Sequence, residues 1–181
     1  MSTADGAPGE LELVRAFVNT VDLEDGAEEL SDPPALARWL AARGLLPGGS
    51  RVGPADLRRA LELREALRTL LQRNNGGPSV PRAADALDAA SRAAGLAVRF
   101  GPEGARLEAA AGGAPGALGR LLAAAAAAMA DGTWERLKAC RSETCAWAFY
   151  DRSKNRSRAW CSMAVCGNRT KVKAYRRRRS R

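Results

Sequence analysis

The sequence predicts a mainly α protein: an α-helical N-terminal domain at residues 1–131 with one β-hairpin, then a small four-cysteine module at residues 132–181 that ends in a basic helix. Three observations predict it. Apolar residues recur at helical spacing in several stretches before residue 131. The period changes from 3.6 to 2 around residues 96–108. Every cysteine lies between Cys140 and Cys166, and the same end of the chain holds the excess positive charge.

Residues 1–9 are small and polar and read as a tail. Leu11, Val14, Phe17, Val18 and Val21 then define one apolar face, which predicts a helix over about 10–22; Asn19 and Thr20 read as its end, and the acidic run 24–29 closes it. Ser31-Asp32-Pro33-Pro34 joins a capping side chain to prolines placed where no backbone donor is needed. The helix it starts covers 33–43, with Leu36, Trp39 and Leu40 inward and Gly44 as its left-handed stop.

Pro54 opens a third helix whose inner face is Leu57, Leu61, Leu67, Leu70 and Leu71. Its outer face, Arg58, Arg59, Glu62, Glu65 and Arg68, reads as a mixed, solvated surface, and Asn74-Asn75-Gly76-Gly77-Pro78 breaks it. A fourth, alanine-rich helix covers 81–94 and stops at Gly95. Leu96, Val98 and Phe100 alternate with Ala97 and Arg99, and Leu107 lies between Arg106 and Glu108. The turn Gly101-Pro102-Glu103-Gly104 makes these a hairpin, which must lie against the helices to be stable. After a linker at 111–116, a helix over about 116–130 presents Leu118, Leu121, Leu122 and Met129 among alanines that let neighbours approach closely. Asp131-Gly132-Thr133 marks the boundary.

Cys140 and Cys145 are separated by four residues, as are Cys161 and Cys166, and residues 146–160 lie between the pairs. Two short cysteine loops brought together supply the four soft donors that tetrahedral zinc takes at ~2.3 Å. Such a site has no open position, so the single Zn²⁺ is structural rather than catalytic. Two disulfides or four unconnected thiols use the same residues. The first wants an export signal, which the polar N-terminus does not resemble, and the second does not explain why all four fall within 27 consecutive residues.

Residues 1–131 carry 14 Arg against 17 Asp or Glu, a net of −3, whereas residues 132–181 carry 15 Lys or Arg against Glu135, Glu143 and Asp151, a net of +12. The abundance of alanine, and of arginine over lysine, matches the bias of a high-GC bacterial genome, but a genome-wide bias does not segregate charge. A basic module favours a polyanion, most simply nucleic acid, with salt-dependent affinity. The longest wholly apolar run, Leu121 to Ala130, is too short for the ~20 residues that span a bilayer, so no membrane partner is expected and the cytoplasm is the expected compartment. An enzyme is not expected either: the chain has no histidine, no phosphate-cradling glycine motif and no nucleophile paired with a base.

Within the module, Trp147, Phe149 and Tyr150 suit a short strand, with Trp147 and Phe149 expected to pack around the metal. Arg152, Lys154, Arg156 and Arg158 alternate with Ser153, Asn155 and Ser157, a pattern that offers guanidinium groups and hydroxyls to phosphates. Ser162 caps a final helix over about 163–178, with Cys161 and Cys166 at its first turn. Four thiolates and Zn²⁺ sum to −2, so the helix dipole and Arg169 are expected to offset the cluster, with Asn168 and Arg169 as supports behind the ligands. Arg169, Lys171, Lys173, Arg176, Arg177, Arg178 and Arg179 surround the helix rather than forming one stripe, which argues for electrostatic anchoring with limited sequence readout, or for a tail that orders only on binding.

The run from Phe149-Tyr150-Asp151-Arg152 through Ala159-Trp160-Cys161-Ser162-Met163 to Cys166-Gly167-Asn168-Arg169 strongly resembles the CGNR zinc finger family, over about Leu137 to Arg178. In that family the finger follows an α-rich domain named ABATE, and the pair is assigned to stress-induced transcription regulation in bacteria. The resemblance implies a four-cysteine zinc finger that binds DNA. The N-terminal domain is left with two roles, sensing a ligand that its sequence does not identify or forming a homodimer. Two other readings use the same features: an RNA-binding protein, since basic residues with aromatics suit single strands, and a protein-interaction module whose zinc only folds the tail.

Overall fold

The computed structural model describes residues 6–78, 81–102, 104–142 and 144–179; the side chains of Ala174, Arg177 and Arg178, Glu103 of the expected turn and the first five residues of the expected tail lie outside the described residues. In chain order the elements are α1 (Leu11–Val18), α2 (Pro33–Ala42), α3 (Pro54–Asn74), α4 (Pro81–Ala94), β1 (Leu96–Gly101), β2 (Gly104–Ala109), α5 (Gly113–Asp131), β3 (Leu137–Ala139), β4 (Ala148–Tyr150) and α6 (Asn168–Arg179). A 3₁₀ turn at Trp134–Arg136 precedes β3, and a wide turn at Met163–Gly167 precedes α6. The chain is mainly α.

Prolines start α2, α3 and α4, where a missing N–H costs nothing. Asp32 Oδ1 accepts the Ala35 amide at 2.6 Å, and Asp56 reaches back to the Gly53 amide at 3.0 Å, so the first turns of α2 and α3 are satisfied by side chains. Phe17, Leu36, Leu40, Leu63, Leu67, Leu71, Leu118 and Leu121 are fully buried in one cluster. Trp39 is a core residue, its ring tilted 60° to Phe17 at 5.4 Å.

At the centre lies α5, whose 19 residues and mean hydropathy of 1.2 meet the length and composition of a membrane span, but whose leucines are buried among α1, α3 and α4. Gly119 makes that packing feasible. A Cβ there would stand 2.6 Å from Ala94 Cβ and 2.9 Å from Ala109 Cβ, so α5 could not settle on α4 and the hairpin base with any side chain at this position.

Several expectations change. Asn19 leaves the helix, so α1 is shorter than 10–22, and Val21 bridges Glu28 instead of continuing the apolar face. In α5 the helix begins at Gly113 rather than at 116, and Met129, one of its larger apolar groups, is 47% exposed because it falls past the end of the packed stripe. The hairpin pairs Leu96 with Ala109 and Gly101 with Gly104 as its turn requires, but only its base rests on α5; Phe100 at the far end is 87% exposed.

The largest correction concerns α3. Its buried face holds Ala60, Leu63, Arg64, Leu67, Arg68 and Leu71, while Leu57, Leu61 and Leu70 are only half-buried. Arg68, expected on the solvated face, is 3% exposed. Its guanidinium donates to the Val18 carbonyl at 2.6 Å, to the Ala146 carbonyl at 3.0 Å and to Glu65 at 3.0 Å. Those acceptors make burial of the charge tolerable.

The apolar core does not stop at Gly132. Trp134, Leu137, Ala139, Ala148 and Tyr150 belong to the same cluster as the helices, so β3 and β4 are built directly on α3 and α1.

Candidate metal centre and basic surface

The two antiparallel strands set the first cysteine pair. Leu137 pairs with Tyr150 and Ala139 with Ala148, and the Cys140 amide continues the ladder to the Trp147 carbonyl at 2.9 Å. The chain then turns tightly, with the Cys145 and Ala146 amides both donating to the Ser142 carbonyl at 2.9 Å. Ala146 has φ +44°, a left-handed conformation held by Arg68 on its carbonyl.

Polar side chains from the helical body fix this loop. Asn19 clamps both sides of Ala148, donating to its carbonyl at 2.9 Å and accepting its amide at 2.7 Å. One amide group on Asn74 reaches the Trp134 and Leu137 carbonyls, and that of Asn75 reaches Ala139 and Ala159, all at 2.8–2.9 Å. Arg141 returns a bond to the Asn75 carbonyl at 2.8 Å. In the sequence these asparagines read as a helix end and a helix breaker; in the fold they are the seam that positions the cysteines.

The second pair follows from a different device. Ser162 Oγ accepts the Val165 amide at 3.3 Å, and the Gly167 amide donates to the Ser162 carbonyl at 3.1 Å, a bond across five residues. The turn Met163–Gly167 is thus a π-type turn rather than the first turn of an α-helix over 163–178, and α6 starts only at Asn168. Cys161 lies just before the extended cap residue Ser162 and Cys166 lies inside the turn, and the wide turn brings the two sulfurs to 3.7 Å.

The four sulfurs lie within 4.8 Å of one another, with Cys145 and Cys161 at 3.6 Å. Bonded sulfurs stand ~2.05 Å apart. Four sulfurs tetrahedral about a zinc at ~2.3 Å stand about 3.8 Å apart, so the donor set fits one structural Zn²⁺ held by Cys140, Cys145, Cys161 and Cys166. Amides of Ser142 and Cys161 point at the Cys140 sulfur, and that of Trp147 at Cys145. Hydrogen bonds from the neighbouring thiols lower the Cys140 pKa, and the same sharing raises those of Cys145 and Cys161. Trp147 and Trp160 pack on the cluster. Phe149, expected beside the metal, lies instead under the Arg158 guanidinium, 4.9 Å away.

Asp151 organises the basic loop, a role its sequence position did not reveal. It is fully buried and accepts Lys138 Nζ at 2.8 Å, the Arg158 amide at 3.0 Å and both the amide and hydroxyl of Ser153. Burial alone raises a carboxyl pKa, but the Lys138 ammonium and the Ser153 donors outweigh it and hold Asp151 at about 2. Lys138, itself 4% exposed, also donates to the Arg156 and Arg158 carbonyls.

Around this frame the basic side chains divide. Arg152, Lys154 and Arg156 are exposed, with Arg152 donating to the Gly6 carbonyl at 2.7 Å and Arg156 paired with Glu135 at 2.7 Å. Arg158 is half-buried and donates to the Trp160 and Cys161 carbonyls, bracketing a ligand. Asn168 donates to the Ala164 carbonyl at 3.1 Å, and Arg169 makes a two-pronged ion pair with Glu24 at 2.6 and 3.1 Å. That pair raises the Arg169 pKa, with a smaller contribution from the field of Cys166 and Cys145. Lys171, Lys173, Arg176 and Arg179 are exposed on α6; the side chains of Arg177 and Arg178 lie outside the described residues.

A helical body with a four-cysteine metal module and an arginine-rich helix defines a zinc-finger protein of two linked parts. Family models match both: residues 11–132 match the ABATE family, whose description reads "Putative stress-induced transcription regulator", and residues 136–179 match the CGNR zinc finger. The chain belongs to the ABATE family and carries a CGNR zinc finger. No curated protein matches it.

Proposed function

We propose that this chain is a zinc-dependent DNA-binding transcription regulator of the bacterial cytoplasm, in which the metal-built module grips DNA and the helical body senses a signal or pairs two copies. One observation carries this reading: from Arg152 to Arg181 the chain has twelve Lys or Arg and no Asp or Glu. That run is mounted on a loop and helix fixed at the cysteine cluster, where its cations meet the closely spaced phosphates of a duplex. Arg158 and Arg169 serve the frame first, through Cys161 and Glu24, and the remaining cations serve the phosphates.

Aromatic packing supports a duplex over a single strand. Phe149 and Tyr150 are buried and Trp147 and Trp160 pack on the cysteines, which leaves Tyr175 on α6 as the one exposed ring among the described residues of the module, where single-strand sites stack successive bases on several. The module acts by binding rather than by catalysis, since four thiolates leave no coordination position for water and no histidine is present to move protons.

The test is an anisotropy titration of the zinc-loaded chain on random duplex DNA at 50 and 200 mM salt, beside Cys161→Ser and a single-stranded RNA competitor. Six or more phosphate contacts predict an affinity loss of ~10³ or more over that range, and no binding by Cys161→Ser. Preference for the RNA, or salt-insensitive binding, would overturn it.

A further inference from the structure

The structure does not distribute α6 evenly. On one side its root is tied down: Cys166 and Gly167 are buried, and Thr170 Oγ1 donates to the Cys166 carbonyl at 2.9 Å. The other side is an open, shallow face that starts in the turn before α6 and continues to Arg176, formed by Val165, Asn168, Arg169, Val172, Lys173 and Arg176. Val165 is 48% exposed and Val172 is 49% exposed, one on each side of Asn168 along the stripe. Every α6 side chain whose burial is described is exposed. A 12-residue helix that buries so little is marginal by itself, and exposed Val172 on it and Val165 in the turn before it gain free energy when something covers them.

We infer that this face of α6 enters the major groove of duplex DNA and reads base edges, with Val165 and Val172 against thymine methyl groups, Asn168 on adenine and Arg176 on guanine. The inference rests on the DNA-binding reading and adds sequence discrimination to it. Charge selects the occupant: α6 has no acid, and the stripe's polar members are three cations and an asparagine, so a polyanion fits where an ordinary apolar protein groove does not. Apolar side chains select the groove, because thymine's methyl is displayed only on the major-groove side, which is also wide enough to admit a helix. Asn168 exchanges its bond to the Ala164 carbonyl for a base edge, and Arg169 stays on Glu24 or shifts to a phosphate.

By sequence spacing the cations surround the helix, whereas Val165 and Val172 share one stripe with Asn168.

The experiment selects sites for the full zinc-loaded chain from a random duplex library, then compares the enriched site with the same site carrying uracil for thymine. Each contacted methyl is expected to give about a 4-fold loss with uracil. Val165→Ala/Val172→Ala, with zinc content and circular dichroism checked, is expected to bind thymine and uracil sites equally while its salt slope on random DNA stays unchanged. Asn168→Ala is expected to relax preference at one adenine by about 5-fold or more. If random DNA binds in a salt-sensitive way but nothing is enriched, or an enriched site shows the same thymine-to-uracil ratio with the valine variant, base reading fails and the DNA grip stands. Absence of any DNA binding overturns both. A self-association that the valine variant abolishes would assign the stripe to a second copy and overturn the inference.

Discussion

Helices α3 and α6 both carry many arginines and use them in opposite ways. In α3, Arg64 and Arg68 are 6% and 3% exposed; Arg64 reaches Thr20 and Glu28, and Arg68 gathers the carbonyls of Val18 and Ala146. In α6 the described arginines and lysines stay at the surface. The difference lies in what surrounds them. Along α3 stand Asp56, Glu62 and Glu65, and Glu28 lies across from it, whereas α6 has no acid of its own. Arginine density therefore does not by itself mark a nucleic-acid surface: acids and carbonyls within reach draw Arg64 and Arg68 into the core, whereas the described cations of α6 stay in contact with solvent.

Metal removal breaks the comparison most severely. The second cysteine pair and α6 have almost no apolar contact with the body, whereas β3 and β4 share its core. Structural zinc is worth about 10–16 kcal/mol in small fingers, so stripping it is expected to melt the turn from Cys161 and all of α6. Hydrogen exchange should show protection lost there while α1–α5 keep theirs. Cysteines ligate as thiolates, so zinc uptake releases protons and zinc affinity is expected to fall from pH 8 to pH 6 in a chelator competition.

The two kinds of arginine can then be set side by side. Arg68→Met strands the Val18 and Ala146 carbonyls in a buried seam and is expected to cost about 3 kcal/mol or more in denaturant unfolding. Lys171→Gln and Arg179→Gln on α6 are expected to change stability by about 0.5 kcal/mol or less. In DNA titration the order reverses: each α6 change should lower the salt slope by about 1. Equal stability costs on the two helices would dissolve the distinction.

The sequence made legible what local chemistry determines. Four soft donors at matched spacing implied the metal site, and Pro33, Pro54, Pro81 and Gly95 marked ends within a residue or two because prolines and glycines act on their own backbone. What stayed hidden depends on partners far along the chain. Arg68 looked solvated because its acceptors, Val18 and Ala146, are backbone carbonyls 50 and 78 residues away, and a carbonyl leaves no trace in a sequence. Asn19, Asn74 and Asn75 were hidden for the same reason, although two asparagines at a helix end that needs one cap were a usable signal. The π turn before α6 escapes helical periodicity, which assumes 3.6 residues.

Lys138 and Asp151 carry the α3 arrangement into the basic half, where a buried cation again meets an acid and carbonyls. Their smaller effect is visible through pH. The Asp151 carboxyl is depressed from its ordinary 3.8 to about 2, so the folded state favours the ionised form more than the unfolded chain does. Its contribution is complete above about pH 5 and is lost as pH falls through 3.8 toward 2, a total of about 2–3 kcal/mol. Asp151→Asn is expected to flatten that acid limb while lowering stability at neutral pH, because Lys138 then keeps its charge without a counterion. Denaturant midpoints of the zinc-loaded protein mix this with protonation of the cysteines, so the cleaner readout is the Asp151 carboxyl itself, followed by NMR in protein kept metal-saturated down to the lowest pH it tolerates. A carboxyl that titrates near 3.8 would mean the loop opens to water, and the arginines proposed to meet phosphates would then lack the fixed frame that separates them from an ordinary charged tail.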